Sequence, residues 1–178
     1  MSLLNSALKI ERHVALWLFI FLLTSASIAF ALYYQYVLEW EPCVLCIQIR
    51  IIMFGLTLLA FLMIFLSRIK LIRLFGFIGQ SVLGVLLFLK CRELYRIEIG
   101  LDEAGCMFNA GLPSWFDLEA WLPSIFEVRS ACGESPKVLF DITMAQALYY
   151  GSALALILSL LLSLLSIYAL FSRPLKTS

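Results

Sequence analysis

Two pairs of cysteines are the residues of this chain whose type and spacing could carry chemistry. Cys43 and Cys46 form a Cys-x-x-Cys motif where the chain enters an apolar stretch, and Cys106 and Cys132 follow downstream with 25 residues between them. Thiols two residues apart can close a tight, easily reduced disulfide, and a second pair in a flexible loop could exchange with it. If both pairs lie on one face of a membrane, electrons could pass between them.

Zinc binding and structural disulfides are two other uses of such cysteines. A zinc site needs four convergent ligands, commonly two close pairs. Here Cys106 and Cys132 are far apart in sequence, and the single histidine, His13, is predicted on the other membrane face. A structural disulfide would suit the downstream pair alone, but a bridge within the Cys-x-x-Cys motif closes almost no chain and stabilises little. We therefore expect no metal and a redox role for the motif.

The composition indicates a single membrane domain that covers residues 1–178. The chain is 63% hydrophobic and 14% charged, with a mean hydropathy of +0.99, which lies outside the range of soluble proteins. Four apolar runs are long enough to cross a bilayer as helices. The predicted spans are about 14–34, 44–66, 71–89 and 146–171, with outer loops at about 35–43 and 90–143. No basic run suggests nucleic acid as a partner.

The distribution of lysine and arginine predicts the orientation. Seven of the 13 basic residues, at the N-terminus, between spans two and three and in the C-terminal tail, share one face with a single acid, Glu11. On the opposite face, the segment 90–141 carries nine acids and five bases. Short loops rich in lysine and arginine stay in the cytoplasm. We therefore expect both termini in the cytoplasm and all five cysteines at the outer face.

Arg50 is a candidate partner of the cysteine motif. Pro42 suits the first turn of a helix, so Cys43 and Cys46 are expected in the first turns of span two, where the helix dipole favours a thiolate. Arg50 lies four residues after Cys46, on the same helical face. A guanidinium inside a membrane helix is by default functional, here with a Cys46 thiolate or a neighbouring anion as its partner. Alternatively, Arg50 only snorkels to the outer headgroups.

The segment from Trp115 to Phe126, between the two downstream cysteines, has an apolar face at helical spacing, with Pro123 expected to break or kink the helix. Such a segment predicts a short helix lying flat in the outer interface. An ordinary packed loop helix is the alternative. Either form would hold the loop close to the membrane, where Cys132 could reach Cys43.

These features together resemble the DsbB family of bacterial inner-membrane disulfide bond formation proteins. The residues that match are the Glu41–Cys46 motif with Arg50, and the second loop with Cys106, the Trp115–Phe126 segment and Cys132. Four spans at matching intervals extend the resemblance over nearly the whole chain. It implies an all-α, four-transmembrane-helix bundle in the bacterial inner membrane, with a long periplasmic loop that carries a short interfacial helix.

The resemblance also implies an activity. Members of the family reoxidise DsbA, a periplasmic thioredoxin-fold oxidase, and pass the electrons to a membrane quinone, either ubiquinone or menaquinone. Carried over to this chain, Cys106 would form the mixed disulfide with a DsbA-like partner, and Cys132 would then connect to Cys43. Cys46 would face the quinone as a thiolate, with Arg50 beside it.

The chain departs from the family pattern at several positions. Glu93 stands where many relatives carry a histidine, so one quinone contact is in doubt. Asp141, Ala145 and Ala147 occupy places where relatives often carry Gly, Pro and Trp, which suggests a subgroup that serves a particular partner. Cys91, between two basic residues, is expected to be a packed residue rather than a reactive thiol.

Three other functions remain open. A reductive thiol relay would need a cysteine accessible from the inner face, and the sequence places none there. An enzyme similar to vitamin K epoxide reductase would have its Cys-x-x-Cys motif after the looped pair, whereas here the motif precedes it. A non-catalytic membrane subunit with structural disulfides would unfold on reduction and transfer no electrons.

Overall fold

Each of the four apolar runs forms one long α-helix in the computed structural model. The structure describes the backbone of residues 2–67, 69–102, 122–130, 132–133, 135–139 and 141–171, and the side chains of residues 14–165 in these ranges except Lys70, Ser124 and Leu139. The helices and strands are α1 (Ser2–Tyr36), α2 (Val44–Leu66), α3 (Lys70–Glu98), the short α4 (Pro123–Phe126), β1 (Lys137–Leu139), β2 (Ile142–Thr143) and α5 (Met144–Phe171).

The described chain is a four-helix membrane bundle, as the sequence predicts. The shortest of the four apolar spans, Met144–Leu165, has 22 residues, which at about 1.5 Å per residue crosses a hydrocarbon core of about 30 Å. Large apolar side chains such as Phe19, Phe65 and Leu164 are more than half exposed. Extensive apolar exposure of this kind is expected of surfaces that face lipid.

Consecutive long helices pack against one another, α1 on α2, α2 on α3 and α3 on α5. Hydroxyl groups join them inside the bundle: Thr57 Oγ1 in α2 lies 2.9 Å from Thr24 Oγ1 in α1, and Ser81 Oγ in α3 lies 2.7 Å from Ser163 Oγ in α5. At Gly76 of α3, the side chain of a methionine of α2 occupies the place where a Cβ would lie. Small and hydroxyl-bearing residues therefore allow these helices to approach closely.

The third helix is longer than the predicted span. The prediction ended it at Leu89, before Lys90, but α3 continues to Glu98, so the loop that follows begins at residue 99 instead of 90. Lys90 pairs with Glu93 one turn later, with 2.8 Å between Nζ and Oε2. Because lysine, arginine and glutamate are good helix formers, charge ends the apolar run without ending the helix.

The start of α5 is defined by a reciprocal cap. The N–H of Gln146 donates to Thr143 Oγ1 at 3.3 Å, and the N–H of Thr143 donates to Gln146 Oε1 at 3.4 Å, which is a capping box. The helix therefore begins at Met144, two residues before the predicted span. Just before it, β1 and β2 pair antiparallel through a turn at Asp141, whose φ is 68°. The sequence analysis missed this hairpin because strands of three and two residues show no periodicity.

Candidate redox site

The Cys-x-x-Cys motif lies at the N-terminus of α2. The helix begins at Val44, so Cys43 is its N-cap residue, and Pro42 lies two residues before the helix instead of in its first turn. Cys43 and Cys46 are both free thiols, and Cys43 Sγ donates to Cys46 Sγ at 3.1 Å. A disulfide between them therefore requires only a small movement of the side chains.

The loop segment that follows α4 docks on the residues before α2. The N–H groups of Arg129 and Ser130 donate to the carbonyl of Pro42 at 3.1 and 3.3 Å, and the hydroxyl of Ser130 donates to the carbonyl of Glu41 at 2.8 Å. Ser130 also forms an isolated parallel bridge with Cys43. Because the Pro42 carbonyl accepts from this segment, it is not used by α2, which explains where the helix begins.

Docking of the loop segment brings Cys132 against Cys43. The side chains of these two cysteines are 9% and 5% exposed, respectively, and they belong to one buried cluster. Cys43 contacts Cys132 on one side and Cys46 on the other. The structure thus brings together three of the four cysteines predicted to carry the chemistry.

The two thiols outside the membrane span hold their protons tightly. The contact with Cys132 lowers the pKa of Cys43, but the hydrogen bond to Cys46 and burial outweigh it and raise the pKa of Cys43 to about 12. The hydrogen bond with Cys43, together with burial, also raises the pKa of Cys132. Cys43 is consequently protonated at neutral pH and serves as a donor to the Cys46 sulfur, an arrangement that favours negative charge on Cys46.

Arg50 is held inside the protein by two neutral groups. Its side chain is 5% exposed, and Nη1 donates both to Gln35 Oε1 at 2.7 Å and to the carbonyl of Ile125 in α4. None of the ion pairs among the described residues includes Arg50. Its buried Nε group has no acceptor in the described part of the chain. The positive charge of Arg50 is therefore fixed in place and not neutralised by a described acid.

A cavity of about 390 Å³ adjoins Cys46 and Arg50 between α1, α2 and the start of α5. Its polar lining includes Gln35, Cys46 and Arg50, whereas most of its wall is apolar. The apolar side chains of the wall include Leu23, Phe30, Met53, Met144 and Leu148. A cavity of this size with few polar groups suits a small, mostly apolar ligand.

Two parts of the predicted site fall outside the described residues, namely Cys106 and the Trp115–Trp121 part of the predicted interfacial helix. The described remainder of that segment is α4, in which Pro123 is the first helical residue. A proline at this position begins a helix readily because it needs no N–H partner there. The expected break at Pro123 is therefore the start of a new helix.

Two residues singled out for their type lie away from the cavity wall. Glu93 is 47% exposed and pairs with Lys90 in the C-terminal part of α3. Cys91 is fully buried in the same cluster as Cys43 and Cys132, and it contacts Ser152 of α5. The interpretation of Cys91 as a packed residue agrees with this burial.

Gln35 and the carbonyl of Ile125 are contacts of Arg50 that the sequence analysis missed. Gln35 carries a weak signal, because it is a polar side chain at the end of the apolar first span. The carbonyl of Ile125 carries no such signal, since every residue offers a backbone acceptor.

The fold and the site together define a multi-pass membrane protein with three thiols, Cys43, Cys46 and Cys132, in contact at the start of α2. The family model described as disulfide bond formation protein DsbB matches residues 12–162, and the chain belongs to this family.

Several curated relatives share the description "disulfide bond formation protein B". One from Shewanella frigidimarina is 35% identical over 135 residues, which cover 75% of this chain and 80% of the relative. One from Shewanella denitrificans is 31% identical over 147 residues, or 80% and 82% of the two chains. One from Vibrio alginolyticus is 28% identical over 162 residues, or 89% and 98%. The protein is thus a membrane protein of disulfide bond formation.

Proposed function

We propose that the protein is a thiol:quinone oxidoreductase of the bacterial inner membrane. It reoxidises a DsbA-like thioredoxin-fold oxidase in the periplasm and passes the electrons to ubiquinone or menaquinone. The observation that carries this proposal is the position of Cys43, which contacts both Cys46 and Cys132 while Cys46 and Arg50 line an apolar cavity. The arrangement offers a path from a loop thiol to a membrane ligand.

Electrons pass from the partner to the Cys-x-x-Cys motif by thiol–disulfide exchange. A thiolate of the reduced partner attacks Cys106 of a Cys106–Cys132 disulfide, a mixed disulfide forms, and Cys132 leaves with the electron pair. Cys132 attacks Cys43 of the Cys43–Cys46 disulfide, and Cys46 leaves as a thiolate. The second thiol of the partner then resolves the mixed disulfide, which releases the oxidised partner and the Cys106 thiol.

The last exchange restores the loop disulfide. The Cys106 thiol attacks Cys132 in the Cys43–Cys132 bridge, which leaves Cys43 and Cys46 reduced with the two electrons of the partner. Arg50 stabilises negative charge at Cys46, and the surrounding apolar wall limits access of water. A quinone held by Arg50 and Cys46 would supply the acceptor for the two electrons and two protons of this dithiol.

Purified protein mixed with a reduced DsbA-like oxidase and a quinone tests the proposal. Free thiols of the oxidase should disappear in step with quinone reduction. The Cys106→Ser variant should not oxidise the partner, but its chemically reduced Cys43–Cys46 pair should still be reoxidised by quinone. Undiminished oxidase turnover by this variant, or thiol loss in the wild type without quinone reduction, would refute the proposed circuit.

The proposed orientation has its own test. In spheroplasts, a thiol reagent that does not cross membranes should label Cys106 and Cys132 after reduction, whereas a reporter fused after Ser178 should behave as cytoplasmic. The charge distribution supports this orientation. A periplasmic reporter signal would reverse the orientation and separate the cysteines from a periplasmic partner.

A further inference from the structure

Arg50 has an unusual environment for a buried cation in a membrane span. A buried guanidinium commonly pairs with a carboxylate, because an uncompensated charge is costly to hold away from water. Here the two acceptors described for Nη1 are the side-chain oxygen of Gln35 and the backbone carbonyl of Ile125. Both satisfy hydrogen bonds without cancelling the charge.

Gln35 lies in the last turn of α1, so its contact with Arg50 joins two helices that wall the cavity. It lines the cavity together with Arg50 and Cys46. A glutamate has the same length and would accept the same hydrogen bond, but it would neutralise the guanidinium. The distinction between the amide and the carboxylate therefore decides how much positive potential reaches Cys46.

We propose that Gln35 is a positioning residue that orients the Arg50 guanidinium towards Cys46 and the cavity without adding a counter-charge. The amide oxygen fixes Nη1 from the α1 side, and the Ile125 carbonyl fixes it from the loop side. The buried Nε group has no acceptor among the described residues. This inference deepens the proposed function and rests on it for the role of the cavity ligand.

The decisive variant is Gln35→Glu, and Val37→Glu is its matched control. Val37 is 60% exposed just after α1, so a glutamate there adds the same charge near the same membrane level without lining the cavity. The readout is the pH at which half of Cys46 is alkylated in the reduced protein, measured by mass spectrometry. Among the described residues, the ionisable groups that act on Cys46 are Cys43, Cys132 and Arg50.

Neutralising Arg50 should raise the pH of half-alkylation of Cys46 by about one unit in Gln35→Glu, since an opposite charge nearby shifts a titration by 1–3 units. Val37→Glu should match the wild type. Gln35→Met removes the acceptor without adding a charge, so it separates orientation from neutralisation: if Gln35 only tethers α1 to α2, Gln35→Met should match the wild type. An unchanged value in Gln35→Glu would overturn the proposal.

Two further measurements keep the test decisive. If Gln35→Glu does not fold, Gln35→Met removes the acceptor, and the proposal then expects the pH of half-alkylation to rise because the guanidinium loses its orientation; no change would overturn it. In quinone turnover, Gln35→Glu should be at least tenfold slower, with unchanged thiol exchange at Cys106. Since alkylation needs no quinone, it tests Gln35 even if the wild type fails to reduce quinone.

Discussion

The guanidinium of Arg50 in α2 donates a hydrogen bond to the backbone carbonyl of Ile125 in α4, a residue 75 positions later in the chain. A charge inside a membrane span therefore helps to hold the loop segment that leads to Cys132. The same side chain lines the cavity beside Cys46. Arg50 thus links loop docking to the redox motif, and its replacement should affect both.

Arg50→Met should slow quinone-linked turnover by on the order of 100-fold, the cost typical of removing one stabilising donor from a charged site. The exchange between Cys106 and the oxidase should change by no more than a few-fold, because that step precedes the attack of Cys132 on Cys43. Arg50→Lys keeps the charge but loses the planar guanidinium, so its rate of quinone-linked turnover should lie between those of the wild type and Arg50→Met. Quinone kinetics compared with single-turnover thiol exchange measures the difference. Equal quinone kinetics in the wild type and Arg50→Met would mean that Arg50 has only a structural role.

Ser130→Ala should weaken the docking of the loop segment. It removes the hydrogen bond to the carbonyl of Glu41, which is 2.8 Å long, at a cost of about 1 kcal/mol. The equilibrium constant for a Cys43–Cys132 disulfide against a glutathione buffer should fall about fivefold, which lowers the fraction of this disulfide. The measurement uses protein in which Cys46 and Cys106 are both replaced by serine. Ser135→Ala removes a hydroxyl from the same segment and should leave this fraction unchanged. A fraction unaffected by Ser130→Ala would mean that this contact does not position Cys132.

Ala147→Phe should obstruct the cavity. Ala147 lines it at the start of α5, and a larger side chain there would compete with a ligand for a volume of about 390 Å³. We expect the KM for quinone to rise on the order of tenfold, equivalent to the usual cost of overpacking. Ala155→Phe, at an exposed position of α5 that does not line the cavity, is the control. Similar KM values in both variants would place the quinone elsewhere.

The stability of the reduced protein should decrease at high pH through Cys43. Its pKa in the folded protein is raised to about 12, above the value of about 8.5 for an unfolded cysteine. The folded state thus keeps a proton that the unfolded state loses, so this contribution is complete below about pH 8.5 and is lost as the pH rises towards 12.

Unfolding of the reduced protein in a detergent titration between pH 7 and pH 11 would measure this dependence. Cys43→Ser should flatten it, because serine does not titrate in this range. Cys132 acts in the same direction, since its pKa is also raised. A wild-type curve as flat as that of Cys43→Ser would argue against a buried, protonated Cys43.

The sequence predicted the four spans because apolar length is a strong signal in a membrane protein. It did not predict the end of α3, where Lys90 and Glu93 continue the helix beyond the apolar run. Thr143 and Gln146 form a capping box that marks the start of α5. The prediction missed this start because it used only the apolar run.

The candidate site was predictable to the extent that it depends on side-chain type. Cys43, Cys46 and Arg50 follow from the motif and from the cost of a charge in a span. The contact of Cys132 with Cys43 depends on backbone hydrogen bonds to the carbonyl of Pro42. Such bonds cannot be predicted from residue type, because every residue has a backbone carbonyl. Gln35 was missed because one amide at the end of a helix is common, and only the bundle geometry places it on the guanidinium.

The packing order of the helices has a consequence for biogenesis. The Cys-x-x-Cys motif begins the second span, but the cavity beside it is walled by both α1 and α5, and the last of these is synthesised more than 90 residues after the motif. During translation, the motif therefore reaches the membrane before the cavity exists. A nascent chain lacking α5 would carry the thiols of the motif beside an incomplete cavity. Insertion of the last span therefore completes the ligand site next to Cys46.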